Sequence, residues 1–124
     1  MKRLLLPALL VATLAVAGAA WAGGWATVQL SSTPTGTKAG QPWVVTVKVL
    51  QHGRTPLRGV KPTITIRNGE TSAVFKAVPA GKPGVYRTRV VFPKAGLWTY
   101  EVYDGFVQYG GAQRHTYAPV RILA

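Results

Sequence analysis

The sequence predicts an all-β fold: an Ig-like antiparallel β-sandwich of about seven strands, preceded by an N-terminal signal helix. After residue 22 no helical period is sustained, and β-branched and aromatic runs alternate with turn residues about every 8–12 positions. The 14 glycines and 9 prolines fall mainly between those runs, where turns are needed. The chain has no cysteine, so its hydrophobic core must stabilise the fold without disulfides.

Residues 1–22 are expected to be a cleaved export signal. Lys2 and Arg3 make a basic start, the stretch 4–18 is apolar, and Ala20-Trp21-Ala22 places small residues at the cleavage site. Residues 23–124 then form one exported domain, periplasmic or extracellular, that has no transmembrane span. The alternative is that the segment is kept as an anchor helix, but its apolar run is short for a span of about 20 residues.

In the first half of this domain, strands are predicted at 25–30, 43–50 and 63–67. Residues 43–50 alternate, with Trp43 and three valines on one side and Lys48 on the other, so the tryptophan side faces the core. Ile64 and Ile66 give the third strand an inner face. Polar loops that contain Gly and Pro separate these strands at 31–42 and 51–62.

Four further strands are predicted in the second half. Asn68-Gly69 is a tight-turn signal that leads into a strand at 72–78. Strands at 85–92 and 97–103 follow, and the last, at 115–123, contains Pro119, which makes it an edge strand and argues against dimerisation by strand pairing. Aromatic residues expected in the core are Trp25, Trp43, Tyr86, Trp98 and Tyr100.

Several short motifs stand in an order that resembles a known family. Ala39-Gly40-Gln41-Pro42 leads a strand, and His52-Gly53-x-x-Pro56, Gly84-x-Tyr86, Phe92-Pro93-x-Ala95-Gly96 and Trp98 follow. This order resembles the YtkA-like and FixH-like family of small exported Ig-like domains, over roughly residues 26–103. The resemblance implies the sandwich fold. Because some members accompany copper or cytochrome-oxidase genes, it also implies a role in periplasmic metal handling, but it supplies no catalytic residues.

The charge balance is strongly basic. The chain has 15 Lys and Arg against 3 Asp and Glu, a formal net charge of +12 that falls to +10 without Lys2 and Arg3. Such a surface attracts anionic lipids, polymers or acidic partners, although net charge can also serve solubility alone. The cations are spread singly rather than in runs, and nucleic acid is not expected as a partner in this compartment.

The candidate binding residues lie outside the regular alternation. Aromatic residues and an arginine flank the Gly-rich stretch 104–113, and two more arginines lie in the loop 51–62. Aromatic and Arg side chains are frequent at the centres of interfaces. The candidate set is Tyr103, Phe106, Tyr109, Arg114, Tyr117, Arg54 and Arg58. Ordinary packing of a loop beneath the sandwich end is the competing interpretation.

The candidate metal ligands are His52, His115 and Asp104, since imidazole and carboxylate donors suit Cu(II) or Zn(II) when the fold brings them together. Related copper carriers are expected to use a His at the mature N-terminus or clusters of Met. This domain begins Gly23-Gly24-Trp25, and its only methionine is Met1. The leading expectation is therefore no cofactor, with copper as the alternative.

No catalytic constellation is found in the sequence. Ser31, Ser32 and Ser72 lack the glycine pattern of a nucleophile elbow. Glu101 and Asp104 are close in sequence, but we expect both on an exposed strand edge rather than as a catalytic pair. The chain is therefore expected not to be an enzyme.

The function that these observations favour is that of an exported, monomeric, non-enzymatic accessory or binding domain of the cell envelope. It would act through the loop-end aromatic residues and the basic surface, on an envelope protein or an anionic surface. Two alternatives stay open: a periplasmic copper-handling or oxidase-assembly protein, and an electrostatic binder of anionic envelope polymers or lipid.

Overall fold

The computed structural model describes residues 24–124, so the expected signal helix and its cleavage site lie outside the described residues. The described chain is all-β, with a short 3-10 turn at Gln108–Gly110. No helix within residues 24–124 has the length and hydrophobicity that a membrane span requires. The strands are β1 (Ala26–Leu30), β2 (Pro42–Gln51), β3 (Thr55–Pro56), β4 (Thr63–Asn68), β5 (Thr71–Lys76), β6 (Val78–Pro79), β7 (Val85–Val91), β8 (Gly96–Tyr103), β9 (Arg114–Thr116) and β10 (Val120–Ile122).

Two antiparallel sheets form the sandwich. The first runs β1-β2-β7-β6, with β3 also paired to β2, and the second runs β10-β8-β4-β5, with β9 also paired to β8. The chain crosses between the sheets at 57–62, at Ala77 and at 92–95. This arrangement confirms the predicted antiparallel sandwich.

The core lies between the sheets and follows the predicted alternation. Trp43 packs against the rings of Phe92 and Tyr100, with centroid distances of 6.5 Å and 5.6 Å. Trp98 contacts Phe92 edge to face at 5.5 Å. Of the positions predicted as core, Trp43, Val45, Val47, Val49, Ile64, Ile66, Tyr86, Trp98 and Tyr100 are buried, and Val90, Phe92 and Val102 are buried as well.

The expectation of a buried Trp25 is wrong. This side chain is 39% exposed, because Trp25 precedes β1 and lies at the end of the sandwich, where no facing sheet covers it. The burial of β1 begins with the next residue, Ala26.

The predicted count of seven strands becomes ten because two strands are interrupted and the two-residue β3 was not predicted. The strand predicted at 72–78 breaks at Ala77, whose N–H donates to Pro62 O as the chain leaves the second sheet for the first. The strand predicted at 115–123 breaks before Val120. There, residues 117–119 lie opposite only two residues of β8, 99 and 100. One strand therefore has one residue more than its partner, which is a β-bulge. Pro119 lies in that bulge and has no N–H to donate.

The β4–β5 hairpin turns one residue later than the sequence indicated. Asn68 pairs with Thr71, so the two central turn residues are Gly69 and Glu70. Gly69 has a φ of 59°. Positive φ at the first central residue alone matches a type II′ turn, which favours glycine there.

Thr88 offers a test of the core packing. Its side chain is buried on the inner face of β7, and its hydroxyl has no hydrogen-bond partner among the described residues. Thr88→Val replaces this unpaired hydroxyl with a methyl group of similar shape, so the free energy of unfolding should rise by about 1 kcal/mol. Urea denaturation measures the change. Thr99→Val is the control, because the Thr99 hydroxyl is exposed and donates to Arg67 O. A loss of stability in Thr88→Val would contradict the claim that the Thr88 hydroxyl is unpaired.

Candidate functional site

One end of the sandwich, here called the loop end, is formed by residues 24–25, 52–54, 57–62, 77–84 and 104–113. Strand register brings these segments together: Ala26 pairs with Gln51, while Thr63 pairs with both Lys76 and Tyr103. Most of the residues proposed from the sequence as a binding surface lie on these segments or at their bases. The opposite end consists of residues 31–41, 69–70, 92–95 and 123–124.

The carboxylate of Asp104 anchors the loop 104–113. Its Oδ1 accepts a hydrogen bond from the N–H of Phe106 at 2.9 Å, and both oxygens lie 3.3 Å from the N–H of Gln113. Its Oδ2 lies 2.8 Å from Nε2 of His115. Asp104 is 0% exposed, so the expectation of an exposed strand edge is wrong for this residue. The loop folds back over the carboxylate and buries it.

Phe106 is part of the core rather than of the exposed surface. Its side chain is 1% exposed, and its ring lies 6.1 Å from that of Tyr109 at an angle of 83°. The sequence placed Phe106 among the surface binding residues, because a Gly-rich loop gives no alternation from which burial could be read. Phe106 instead supports Tyr109 from below.

Tyr109 is held outward by an unusual backbone and by the N-terminal segment. It has a φ of 61° and is 70% exposed. A Cβ placed on Gly24 would lie 2.7 Å from Cβ of Tyr109, and a Cβ placed on Gly111 would overlap the carbonyl oxygen of Gly24. These two glycines therefore allow the N-terminal segment to pack directly on the 3-10 turn.

The same segment carries Trp25 onto His52. Their ring centroids are 4.8 Å apart, and the N–H of His52 donates to Trp25 O at 3.0 Å. In residues 24–124 the non-glycine residues with positive φ are His52 and Tyr109, and both lie here. Positive φ is ordinary at His52, which with Gly53 is central in the hairpin turn 51–54, whereas at Tyr109 it is backbone strain of the kind that concentrates at functional sites. We name the surface formed by Trp25, His52, Val107 and Tyr109 the aromatic tip.

Three predicted residues lie at the base of the loop rather than at the tip. Arg114 lies over the ring of Tyr103 at 5.4 Å and contacts Glu101 at 3.4 Å. Tyr117 stacks on Tyr100 with a centroid distance of 5.0 Å. Burial raises the pKa of the Tyr117 phenol, and the neighbouring Tyr100 raises it further. These contacts join the loop to the second sheet.

The loop end is rich in cations without acidic partners. Arg54 and Arg58, both proposed from the sequence, are exposed on either side of β3. Across the described residues, Arg and Lys form ion pairs with carboxylates only at Arg67 and Arg114, which both contact Glu101. Exposed cations at the loop end or at its base are Arg54, Arg58, Lys61, Lys76, Lys82 and Arg114.

The residues proposed as copper ligands do not assemble into one site. Asp104 and His115 lie together on the second sheet, but His52 lies against Trp25 in the β2–β3 turn of the first sheet. The Asp104 carboxylate already accepts bonds from two backbone N–H groups. For the part of the chain that is described, no group of three or more His, Asp or Glu side chains is placed to hold a metal ion. The donor set therefore does not fit copper.

Sequence reasoning missed Trp25 and His52 as members of the tip. The available signals were Gly24, Gly111 and the His52-Gly53 pair, since glycine in a loop often marks a close backbone approach or a positive φ. Gly111 has an ordinary φ of −94°, so close approach rather than conformational freedom requires glycine there.

A family model described as YtkA-like matches residues 23–103. The chain belongs to the YtkA-like family. The resemblance noted in the sequence is thereby confirmed over both sheets as far as the end of β8. The YtkA-like region contains Trp25 and His52, whereas Asp104, Val107 and Tyr109 follow it in the chain. A search of curated proteins finds none that matches.

Gly111→Ala tests the packing of the N-terminal segment. The added methyl group overlaps Gly24 O, so the segment should leave the loop and Trp25 should become more exposed. In a chain that begins at Gly23, Trp43 and Trp98 are buried, so acrylamide quenching of tryptophan fluorescence reports chiefly on Trp25. We expect stronger quenching in the variant.

The matched control is Gly110→Ala. A Cβ at Gly110 meets no atom within 4 Å, although its φ of 66° adds strain of about 1–2 kcal/mol. Gly110→Ala should therefore lower stability and leave the quenching unchanged. Equal quenching of Gly111→Ala and the unaltered chain would show that the contact does not hold Trp25.

Proposed function

We propose that this YtkA-like protein is an exported, non-enzymatic binding domain of the cell envelope. The aromatic tip contacts the partner, and the cations of the loop end surround that contact. Export rests on the basic start, the apolar stretch 4–18 and Ala20-Trp21-Ala22 in the sequence. The family match begins at Gly23, the first residue after the expected cleavage site, which supports the interpretation of residues 1–22 as an export signal.

The observation that carries the proposal is the exposed aromatic tip on a strained but well-anchored backbone. Exposed apolar side chains that cluster in one patch mark interaction surfaces, whereas single exposed ones such as Val74 and Leu97 are ordinary. Tyr109 adopts a left-handed backbone conformation, which persists only where surrounding contacts determine it. Those contacts come from Phe106 and Gly24, while the N–H of His52 donates to Trp25 O.

The acidic residues support a non-enzymatic role. The carboxylates of Glu101 and Asp104 are each engaged in contacts that stabilise the fold, the first with two arginines and the second with the loop backbone. Glu70 lies exposed in the β4–β5 turn, at the end of the sandwich remote from the tip.

A double variant, Trp25→Ala with Tyr109→Ala, tests the tip as the binding surface. Labelled protein is incubated with isolated cell envelopes, and the bound fraction is measured by sedimentation. Aromatic residues at interface centres contribute about 2 kcal/mol or more when truncated, so affinity should fall at least about tenfold. The melting temperature is recorded in parallel, to show that the variant remains folded.

The control is Val74→Ala with Leu97→Ala. Both side chains are exposed, at 61% and 54%, but lie on the outer face of the second sheet. This variant should bind as the unaltered protein does. Unchanged envelope binding by the tip variant, or an equal loss in the control, would refute the assignment.

A further inference from the structure

The loop end of the described chain carries cations without an exposed acid. Six lie at the loop end or at its base, and of these only Arg114 contacts a carboxylate. The opposite end and its base carry four cations, Lys38, Arg67, Lys94 and Arg121, together with the exposed acidic Glu70. The two acids closest to the loop end are Asp104, which is fully buried, and Glu101, whose side chain is 14% exposed. The loop end therefore presents a surface of one sign.

Apolar side chains are exposed where the loop 104–113 meets the N-terminal segment. Val107 and Tyr109 are 69% and 70% exposed at the 3-10 turn, Gly24 packs on that turn, and Trp25, the next residue in the chain, is 39% exposed. Exposed side chains of this kind gain free energy by leaving water for an apolar phase. Trp and Tyr are enriched at the boundary between lipid headgroups and acyl chains.

We infer that the loop end docks on an anionic phospholipid bilayer, with the aromatic tip inserted at headgroup level and the loop-end cations on the lipid phosphates. This inference rests on the proposed function and names its partner. The combination of features favours a bilayer over a soluble anionic polymer, because a polymer would use the cations but offer no apolar phase for Val107. Two cavities at this end, of about 310 Å³ and 420 Å³, are lined by residues 58–63 and 76–86, so a small ligand held there would use the cations but not Val107 and Tyr109.

The backbone of the tip reduces the entropic cost of docking. Asp104 fixes both ends of the turn-bearing loop, and Gly24 packs on its centre. The side chains of the tip are thus held outward before any contact with lipid. Each Lys or Arg near an anionic surface then contributes about 1 kcal/mol, which corresponds to roughly a fivefold change in affinity.

Co-sedimentation with vesicles tests the inference. The probe vesicles contain phosphatidylglycerol and phosphatidylcholine in about equal amounts, and vesicles of phosphatidylcholine alone serve as the neutral comparison. The chain used begins at Gly23, because the apolar stretch 4–18 would itself bind lipid and the whole described core lies between Ala26 and Ile122. We expect binding to the anionic vesicles that weakens at about 1 M salt, where screening shortens the Debye length to roughly 3 Å.

The triple variant Arg54→Gln, Arg58→Gln and Lys61→Gln distinguishes the effect of cations at the loop end from the effect of net charge alone. A control triple, Lys38→Gln, Lys48→Gln and Lys94→Gln, removes equal charge from the opposite end and the outer face of the first sheet. We expect at least about a tenfold loss of vesicle affinity in the first and about twofold or less in the second. Equal losses in both would overturn docking through the loop end.

Tryptophan emission distinguishes insertion from attraction at a distance. On anionic vesicles, the emission of Trp25 should shift to the blue and be quenched by brominated lipids, and Val107→Ser should weaken binding while Leu97→Ser does not. An unshifted emission maximum would overturn insertion. A soluble polyphosphate that binds as tightly as the vesicles, with the same residue dependence, would overturn the bilayer as partner.

The envelope experiment keeps this inference separate from the proposed function. If the protein fails to bind vesicles, but its binding to envelopes still depends on Trp25 and Tyr109, then the lipid partner is wrong and the binding role of the tip stands. If the protein binds neither vesicles nor envelopes in a way that depends on Trp25 and Tyr109, both the proposed function and the inference fail.

Discussion

The buried carboxylate of Asp104 reinforces the backbone hydrogen bond, from the N–H of Asp104 to Gln113 O at 3.1 Å, that joins the two ends of the loop 104–113. Its oxygens accept hydrogen bonds from the N–H groups of Phe106 and Gln113, at the two ends of the loop, and contact His115 on β9. A hydrogen bond to a charged group contributes about 1.5–3 kcal/mol, and a buried carboxylate without such partners would cost several kcal/mol. The loop is therefore closed by the bonds to this fully buried side chain together with the backbone bond between Asp104 and Gln113. Removal of the carboxylate would leave the two backbone N–H groups without these acceptors.

The geometry of the aromatic tip follows from this closure. Phe106 enters the core next to Asp104 and supports Tyr109, while the 3-10 turn offers Gly111 as a flat surface to the carbonyl of Gly24. Gly24 in turn directs Trp25 onto His52. The tip thus joins three separate segments of the chain, and each contact depends on the one before it. Such a surface is organised before it meets a partner, which lowers the conformational entropy that binding would otherwise cost.

The sequence predicted the sandwich and most of its core because strand burial has a period of two, as in the alternation of Trp43, Val45 and Val47 against Lys48. It could not predict the tip, because loop residues have no such period. Asp104, Phe106 and Trp25 were each assigned to the wrong environment, since their burial depends on contacts between segments far apart in the chain. The folded chain brings Tyr109, Arg54 and Arg58 to one end of the molecule, and the contact of His52 with Trp25 is visible only there. The strand breaks at Ala77 and Pro119 were likewise set by tertiary pairing.

Amide hydrogen exchange in an Asp104→Ala variant tests most directly whether this carboxylate organises the loop end. Alanine removes both acceptor oxygens, whereas asparagine would keep one oxygen that can accept from both Phe106 and Gln113. The account predicts that the amides of Phe106 and Gln113 exchange at least about tenfold faster, which corresponds to about 1.4 kcal/mol, while the amides of β2 and β7 keep their protection. Unchanged protection at Phe106 and Gln113, or a loss spread evenly over both sheets, would contradict the claim that Asp104 holds the loop end in place.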